Sequence, residues 1–225
     1  MKRFICIVPL LFAFVLARQT SSVWFGELGG KNEASQKEKV VRRSARAVDN
    51  DTPGDSANKY VLEESCLVGL RAQMNLEMHA SLVYQQMAAH FDSNQVARKG
   101  FAKFFQHNSD EEREHAQKII NYVNLRGATI GNINIGMPTV VSWKTAREAL
   151  QAALDLENKV NNELHGLHRT AEHDCHDPQL QDFIEGTFLN EQVESIAQLE
   201  RLITNLDKFT DAHLGEYFIN KDLLQ

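Results

Sequence analysis

Glu112 and His115 are three residues apart in the run Glu111-Glu112-Arg113-Glu114-His115, which places them on one face of a helix. A carboxylate and an imidazole so placed offer an oxygen and a nitrogen to a single metal ion. In a charged helix such a pair more often faces solvent, so the spacing alone decides nothing. Glu77, Glu157 and Gln192 turn it into a constellation, because each falls where its own helical stripe predicts an apolar core residue. Several carboxylates converging on one buried layer need strong compensation, since burying one without a partner costs several kcal/mol. Together they predict most of a di-iron carboxylate centre: Glu77, Glu112 and His115 on one iron, and Glu112, Glu157 and a weaker Gln192 on the other. A permanently held di-iron cofactor normally uses a second Glu-x-x-His, and here Ser195 stands where its histidine would fall. The poorer second position suits a metal that binds, is oxidised and leaves.

The elements that would position these groups are legible as four stripes with spacings of three and four. Leu67, Leu70, Met74, Glu77, Ser81, Tyr84, Ala88 and Phe91 mark a first helix. Phe101, Phe105, Asn108, Glu112, His115, Ile119 and Tyr122 mark a second, ended by Arg126-Gly127. Residues 128–141 contain Gly131, Gly136 and Pro138 and carry no helical period, which predicts a long connection. Ala146, Leu150, Ala153, Glu157, Val160, Leu164, Leu167 and Ala171 mark the third helix. Ile184, Phe188, Gln192, Ile196, Leu199, Ile203 and Leu206 mark the fourth, opened by Asp177-Pro178. Asp92-Ser93-Asn94 and Ser142 are the expected caps of the second and third helices. Each helix has about 27 residues, roughly 40 Å. Two short connections flanking one long one predict an all-α four-helix bundle with a single long crossover. A short fifth helix over residues 211–224 has no room in a four-helix core and is expected to lie outside it.

Composition bounds the alternatives. The 225-residue chain carries a formal charge of −6, which argues against nucleic acid as a main partner. Lys2 and Arg3 precede an apolar run over residues 4–16, so residues 1–17 read as a signal peptide and predict secretion. That run is short for a membrane span, and no later segment is long and apolar enough for one. Residues 18–58 are polar and basic (Lys37, Lys39, Arg42, Arg43, Arg46) and read as a disordered arm, with a glycosylation sequon at Asn50-Asp51-Thr52. Nine basic and six acidic residues precede position 59, leaving residues 59–225 with a net charge of −9. Once the signal has left with Cys6, Cys66 and Cys175 remain. An oxidising compartment predicts them disulfide-bonded, within a chain or between chains.

Four long motifs in order carry a resemblance: residues 74–84 (MNLEMHASLVY), 101–117 (FAKFFQHNSDEEREHAQ), 153–164 (ALDLENKVNNEL) and 182–193 (DFIEGTFLNEQV). They resemble the helix signatures of ferritins, and the similarity runs over residues 60–224. By position Glu77, Glu112, His115, Glu157 and Gln192 match the ferroxidase residues of heavy-type subunits, and Tyr84 matches a tyrosine that hydrogen-bonds a site carboxylate. The resemblance implies Fe(II) and dioxygen as substrates, a ferric mineral as product and a hollow cage of twenty-four subunits, homomeric or shared with a light-type chain. It further implies that Asp182, Glu185 and His168 belong to three-fold channels admitting iron, and that Glu111 and Glu114 belong to inward carboxylates for mineral nucleation. Gln117 stands where many heavy chains have another glutamate, and the turn at residues 172–177 is one residue longer than the common pattern. That turn holds histidines and Cys175 but no zinc-ligand spacing. The implied fold puts Cys66 and Cys175 toward the same end of the bundle, which permits a bond. Two rivals share these features: an oxidase acting on an organic substrate or a peroxide, and a secreted iron carrier whose subunits contribute mainly a shell.

Overall fold

The computed structural model describes residues 60–225; the expected signal peptide, the basic arm and Asn50 lie outside them. The described residues form helices and connections, with no strand among them. In chain order these are α1 (Glu64–Asp92), α2 (Lys99–Leu125), α3 (Ala146–His173), α4 (Pro178–Ile184), a π turn (Glu185–Leu189), α5 (Asn190–Asp207) and α6 (Ala212–Asp222). α4, the π turn and α5 run on as the fourth helix of the bundle. α1 packs on α2 and α3, α3 packs on the whole fourth helix, and α6 closes one end against α2 and α5. No helix among the described residues is long and apolar enough to cross a membrane.

The predicted stripes are the buried faces, Ile196 alone being only half-buried. The core they make is divided. One apolar cluster includes Leu70, Met74, Ile119, Val160, Leu164 and Ile184; a second includes Met87, Phe91, Phe101, Phe105, Leu150 and Leu199. Between them each of the four helices contributes polar side chains, so the carboxylate layer sits near mid-bundle with dry packing above and below.

Three expectations need correction. The fourth helix is not uniformly α, because the π turn interrupts it at residues 185–189. The second helix starts at Lys99, where no side chain of Asp92, Ser93 or Asn94 caps it, after a turn in which Ala97 takes φ +52°. The third begins at Ala146 with Thr145 as N-cap, three residues after Ser142. Trp143 explains that delay: it is buried against His90, which holds the preceding backbone off the helical path.

Additional caps come from the chain's far end. Asn220 Oδ1 of α6 accepts from Gly100 N (2.8 Å) and Phe101 N (3.4 Å), and Glu216 accepts from Ala146 N (2.8 Å). These acceptors satisfy first-turn N–H groups that have no partner within their own helices. A Cβ on Gly100 would lie 1.9 Å from the Asn220 carbonyl oxygen, so only glycine permits this approach. Asn220→Ala is expected to lower stability by about 1 kcal/mol. Gly100→Ala should cost more, because a backbone atom must move; denaturant unfolding of both variants checks the order.

Without a period of its own, the crossover is positioned by side chains of α1. Arg71 donates to the Ile130 and Thr129 carbonyls (both 2.9 Å), Asn75 accepts from Asn134 N, and His79 meets the Gly136 carbonyl. At the opposite end of the bundle from α6, Cys66 and Cys175 form an intrachain disulfide that ties the first turn of α1 to the connection between α3 and α4. This settles the open pairing and leaves no thiolate at that turn. Beside it, buried Arg126 pairs with Asp177, the N-cap of α4.

Candidate metal centre

Glu77 from α1 and Glu112 and His115 from α2 bring one ligand atom each within 4.8 Å of one another, all three residues buried. The Glu-x-x-His spacing does what the helical period predicts: His115 Nδ1 stands 3.3 Å from Glu112 Oε2. Gln73, one turn before Glu77, donates to its Oε1 (2.7 Å), while Glu77 Oε2 is buried with no hydrogen-bond partner. An unpaired carboxylate oxygen in a protein interior is a ligand atom that a cation would satisfy.

Opposite this cluster, α3 presents Glu157. Tyr84 donates its hydroxyl proton to Glu157 Oε1, and Gln192 Nε2 donates to Glu157 Oε2 (2.8 Å) and to the Glu157 carbonyl (3.2 Å). Glu112 stands between the two groups and feels the charges of both. Burial first, and then the neighbouring Glu157, push its carboxyl well above the usual range. Burial and then Glu112 do the same to Glu77. Burial, reinforced by Glu157, raises the Tyr84 phenol, which therefore stays protonated as a donor.

These directions fix a sign. The unfolded chain loses the Glu77 and Glu112 protons at ordinary carboxyl pH while the folded metal-free site retains them, so stability falls as pH rises toward the raised folded values. A cation must displace those protons. Zn(II), which does not oxidise, is therefore expected to bind with proton release and with affinity that falls on acidification. Calorimetry in buffers of different ionisation enthalpy measures both. Binding without proton release and independent of pH would remove the site from these carboxylates.

One participant was not singled out from the sequence. Glu191 Oε1 lies 3.1 Å from His115 Nε2. A carboxylate on Nε2 holds that nitrogen as the proton carrier and leaves Nδ1, the atom facing Glu112, free to ligate. The only signal was adjacency to Gln192, and a glutamate on a mostly charged helix face gives no more. The remaining candidates fall away from this cluster. Asp182 and Glu185 are exposed and one turn apart, with His168 Nε2 2.6 Å from Glu185 Oε1. Glu111 is half-buried beside His107 (3.3 Å), its carboxyl raised by burial, in a groove between α2 and the fourth helix that Glu191 and Glu194 also line. Glu114 is exposed.

Comparison with known proteins agrees with this geometry. A sequence model of the ferritin-like domain matches residues 68–209. The chain is 48% identical over 157 residues to the soma ferritin of Lymnaea stagnalis, covering 69% of this chain and 88% of that one. It is 46% identical over 156 residues to a ferritin of Pacifastacus leniusculus, covering 69% and 86%. It is 43% identical over 161 residues to the ferritin-1 heavy chain of Schistosoma mansoni, covering 72% and 92%. The buried Glu-Glu-His cluster, the four-helix bundle and these similarities agree, and the chain belongs to the ferritin family of iron-storage proteins.

Proposed function

We propose that this chain is a secreted heavy-type subunit that oxidises Fe(II) with dioxygen at the intrasubunit site and delivers the ferric product to a mineral inside a cage. The observation that carries this reading is the buried layer of Glu77, Glu112, His115 and Glu157, with Glu77 Oε2 unpaired between two apolar clusters. No bundle needs such a layer for stability, and a hard cation is its natural counterpart.

Fe(II) is the substrate. Glu77, Glu112 and His115 hold one ion through Nδ1 and carboxylate oxygens; Glu112, Glu157 and Gln192 hold the second less tightly. Tyr84 fixes the orientation of Glu157, and Glu191 fixes that of His115. Each Fe(II) gives one electron to dioxygen, and the carboxylates offset the charge gained. A single Glu-x-x-His leaves the second ion weakly held, which favours release over retention. Asp182, Glu185 and His168 draw iron toward the subunit by their field, and Glu111 and Glu114 serve nucleation on the inner side.

A cage of twenty-four subunits is the assembly in this reading, with or without a light-type partner. It is supported by apolar side chains left exposed on the crossover (Met137, Val140, Val141) and on α6 (Leu214, Tyr217, Phe218). Export through an oxidising compartment is supported by the intrachain disulfide together with the amino-terminal apolar run.

The test is anaerobic loading of the purified protein with Fe(II), then a dioxygen pulse followed by stopped-flow absorbance, with the same sample sized. Fast oxidation in a large assembly supports the reading. A small species without fast oxidation returns the chain to a carrier or scaffold role.

A further inference from the structure

Ser81 on α1 and Ser109 on α2 are both buried, and each donates its hydroxyl proton to the other's main-chain carbonyl. Ser81 Oγ lies 2.6 Å from the Ser109 carbonyl oxygen, Ser109 Oγ lies 2.8 Å from that of Ser81, and the two hydroxyl oxygens are 3.2 Å apart. A carbonyl has two lone pairs, so each accepts this bond beside the one from its own helix. The site carboxylates aside, these are the hydrogen bonds that join α1 to α2 inside the bundle among the described residues. The pairing of Lys99 with Asp92 is exposed at the helix ends.

Stability does not ask for the serine pair. Serine is a mediocre helix former, and alanine at both positions would leave no polar group unpaired. What apolar packing cannot supply is direction. Hydrophobic burial is non-directional and tolerates a small slide of one helix along another, whereas a hydrogen bond weakens steeply as its angle closes.

The level of the pair in the bundle gives that direction a use. α1 and α2 run antiparallel, and Glu77–Glu112, Ser81–Ser109 and Tyr84–Phe105 are successive rungs between them. The serine rung stands one turn from Glu77 and three residues from Glu112, and these two helices carry all of the Glu77–Glu112–His115 cluster. On the far side of Glu77, Gln73 bonds within α1 and leaves the register of the two helices to the serines. Misplacing a reacting group by about 1 Å can cost about 100-fold in rate.

We propose that Ser81 and Ser109 are positioning residues for the first iron position: their reciprocal hydrogen bonds fix the register of α1 against α2, and with it the span from Glu77 to Glu112 and His115. The proposal rests on the ferroxidase reading for its kinetic consequence and adds to it the device that sets the geometry.

The test is Ser81→Ala with Ser109→Ala in the assembled protein, with Asn220→Ala as a control that loosens the start of α2 away from the site. Anaerobic Co(II) titration reads the geometry of the first position through its visible absorption, and stopped-flow mixing of Fe(II) with dioxygen reads the reaction. The double variant is expected to bind the first Co(II) roughly tenfold more weakly, with a changed spectrum, and to oxidise saturating Fe(II) at least roughly tenfold more slowly. The control should keep the wild-type spectrum and rate although it unfolds more readily. A wild-type Co(II) spectrum in the double variant overturns the proposal whatever its stability, as does an equal change in the control. A changed spectrum with an unchanged oxidation rate overturns it too, because register then does not limit the reaction. Should the double variant not assemble, Ser109→Ala alone removes one of the two bonds and is read in the same way. Wild-type protein that binds Co(II) but lacks fast oxidation overturns the ferroxidase reading and leaves the serine pair to stand or fall on the Co(II) spectra. Wild-type protein that binds no Co(II) overturns both.

Discussion

Replacing Glu112 and His115 together with alanine is expected to slow Fe(II) oxidation by roughly 100-fold or more, since losing only an outer partner of a metal ligand already costs about 10–100-fold. Glu112 touches both halves of the site, so its removal leaves Glu77 and Glu157 with no carboxylate between them. The effect on stability should run the other way. Glu112 raises the Glu77 carboxyl and is itself raised by burial and by Glu157, which means the metal-free site is electrostatically strained. Removing one member relieves that repulsion and offsets part of the cavity cost. The double variant is therefore expected to assemble and to unfold at a temperature close to wild type while losing fast oxidation. A variant that oxidises iron at the wild-type rate would show that the reaction happens elsewhere.

Cys66→Ser with Cys175→Ser is expected to have the largest effect on stability. The bond joins residues 109 positions apart, and closing a loop of that length restricts the unfolded chain by about 5 kcal/mol in the chain-entropy account. Both cysteines are buried, so the serines also bring hydroxyls into an apolar cluster. Denaturant unfolding should show a clear fall in midpoint, and unfolding under a strong thiol reductant should move wild type toward the variant. A midpoint that does not move would mean the unfolded chain already holds those segments together.

Much of the site was readable because the first three stripes step by threes and fours in strict alternation, which marks a line of core positions on each helix and makes a glutamate there conspicuous. The fourth stripe differs, and the difference was already in the spacing. Ile184, Phe188, Gln192 and Ile196 are successive steps of four, each overshooting a full α-helical turn by about 40°. The wider π turn absorbs that drift, so that Ile184 and Phe188 on one side and Gln192 and Leu199 on the other all face the core. The caps were misread for another reason. Local sequence can indicate Asp, Ser or Asn near a helix start, but Asn220 reaches Gly100 across 120 residues, and no local rule finds it. Glu191 escaped because a charged residue on a half-exposed face looks the same whether or not it has work to do. The disulfide needed the fold, since two cysteines without a third offer no clue to whether they meet in one chain.

The capping of α2 and α3 by α6 has a consequence for the order in which the molecule is made. Residues 220 and 216 leave the ribosome 120 and 70 residues after the helix starts they complete. Until α6 is released, the N–H groups of Gly100, Phe101 and Ala146 lack these acceptors, and the end of the bundle that they close stays open. One end of the core therefore cannot close until α6 has been made. A subunit lacking α6 is expected to keep two frayed helix starts, so the fold itself registers whether this helix has been made.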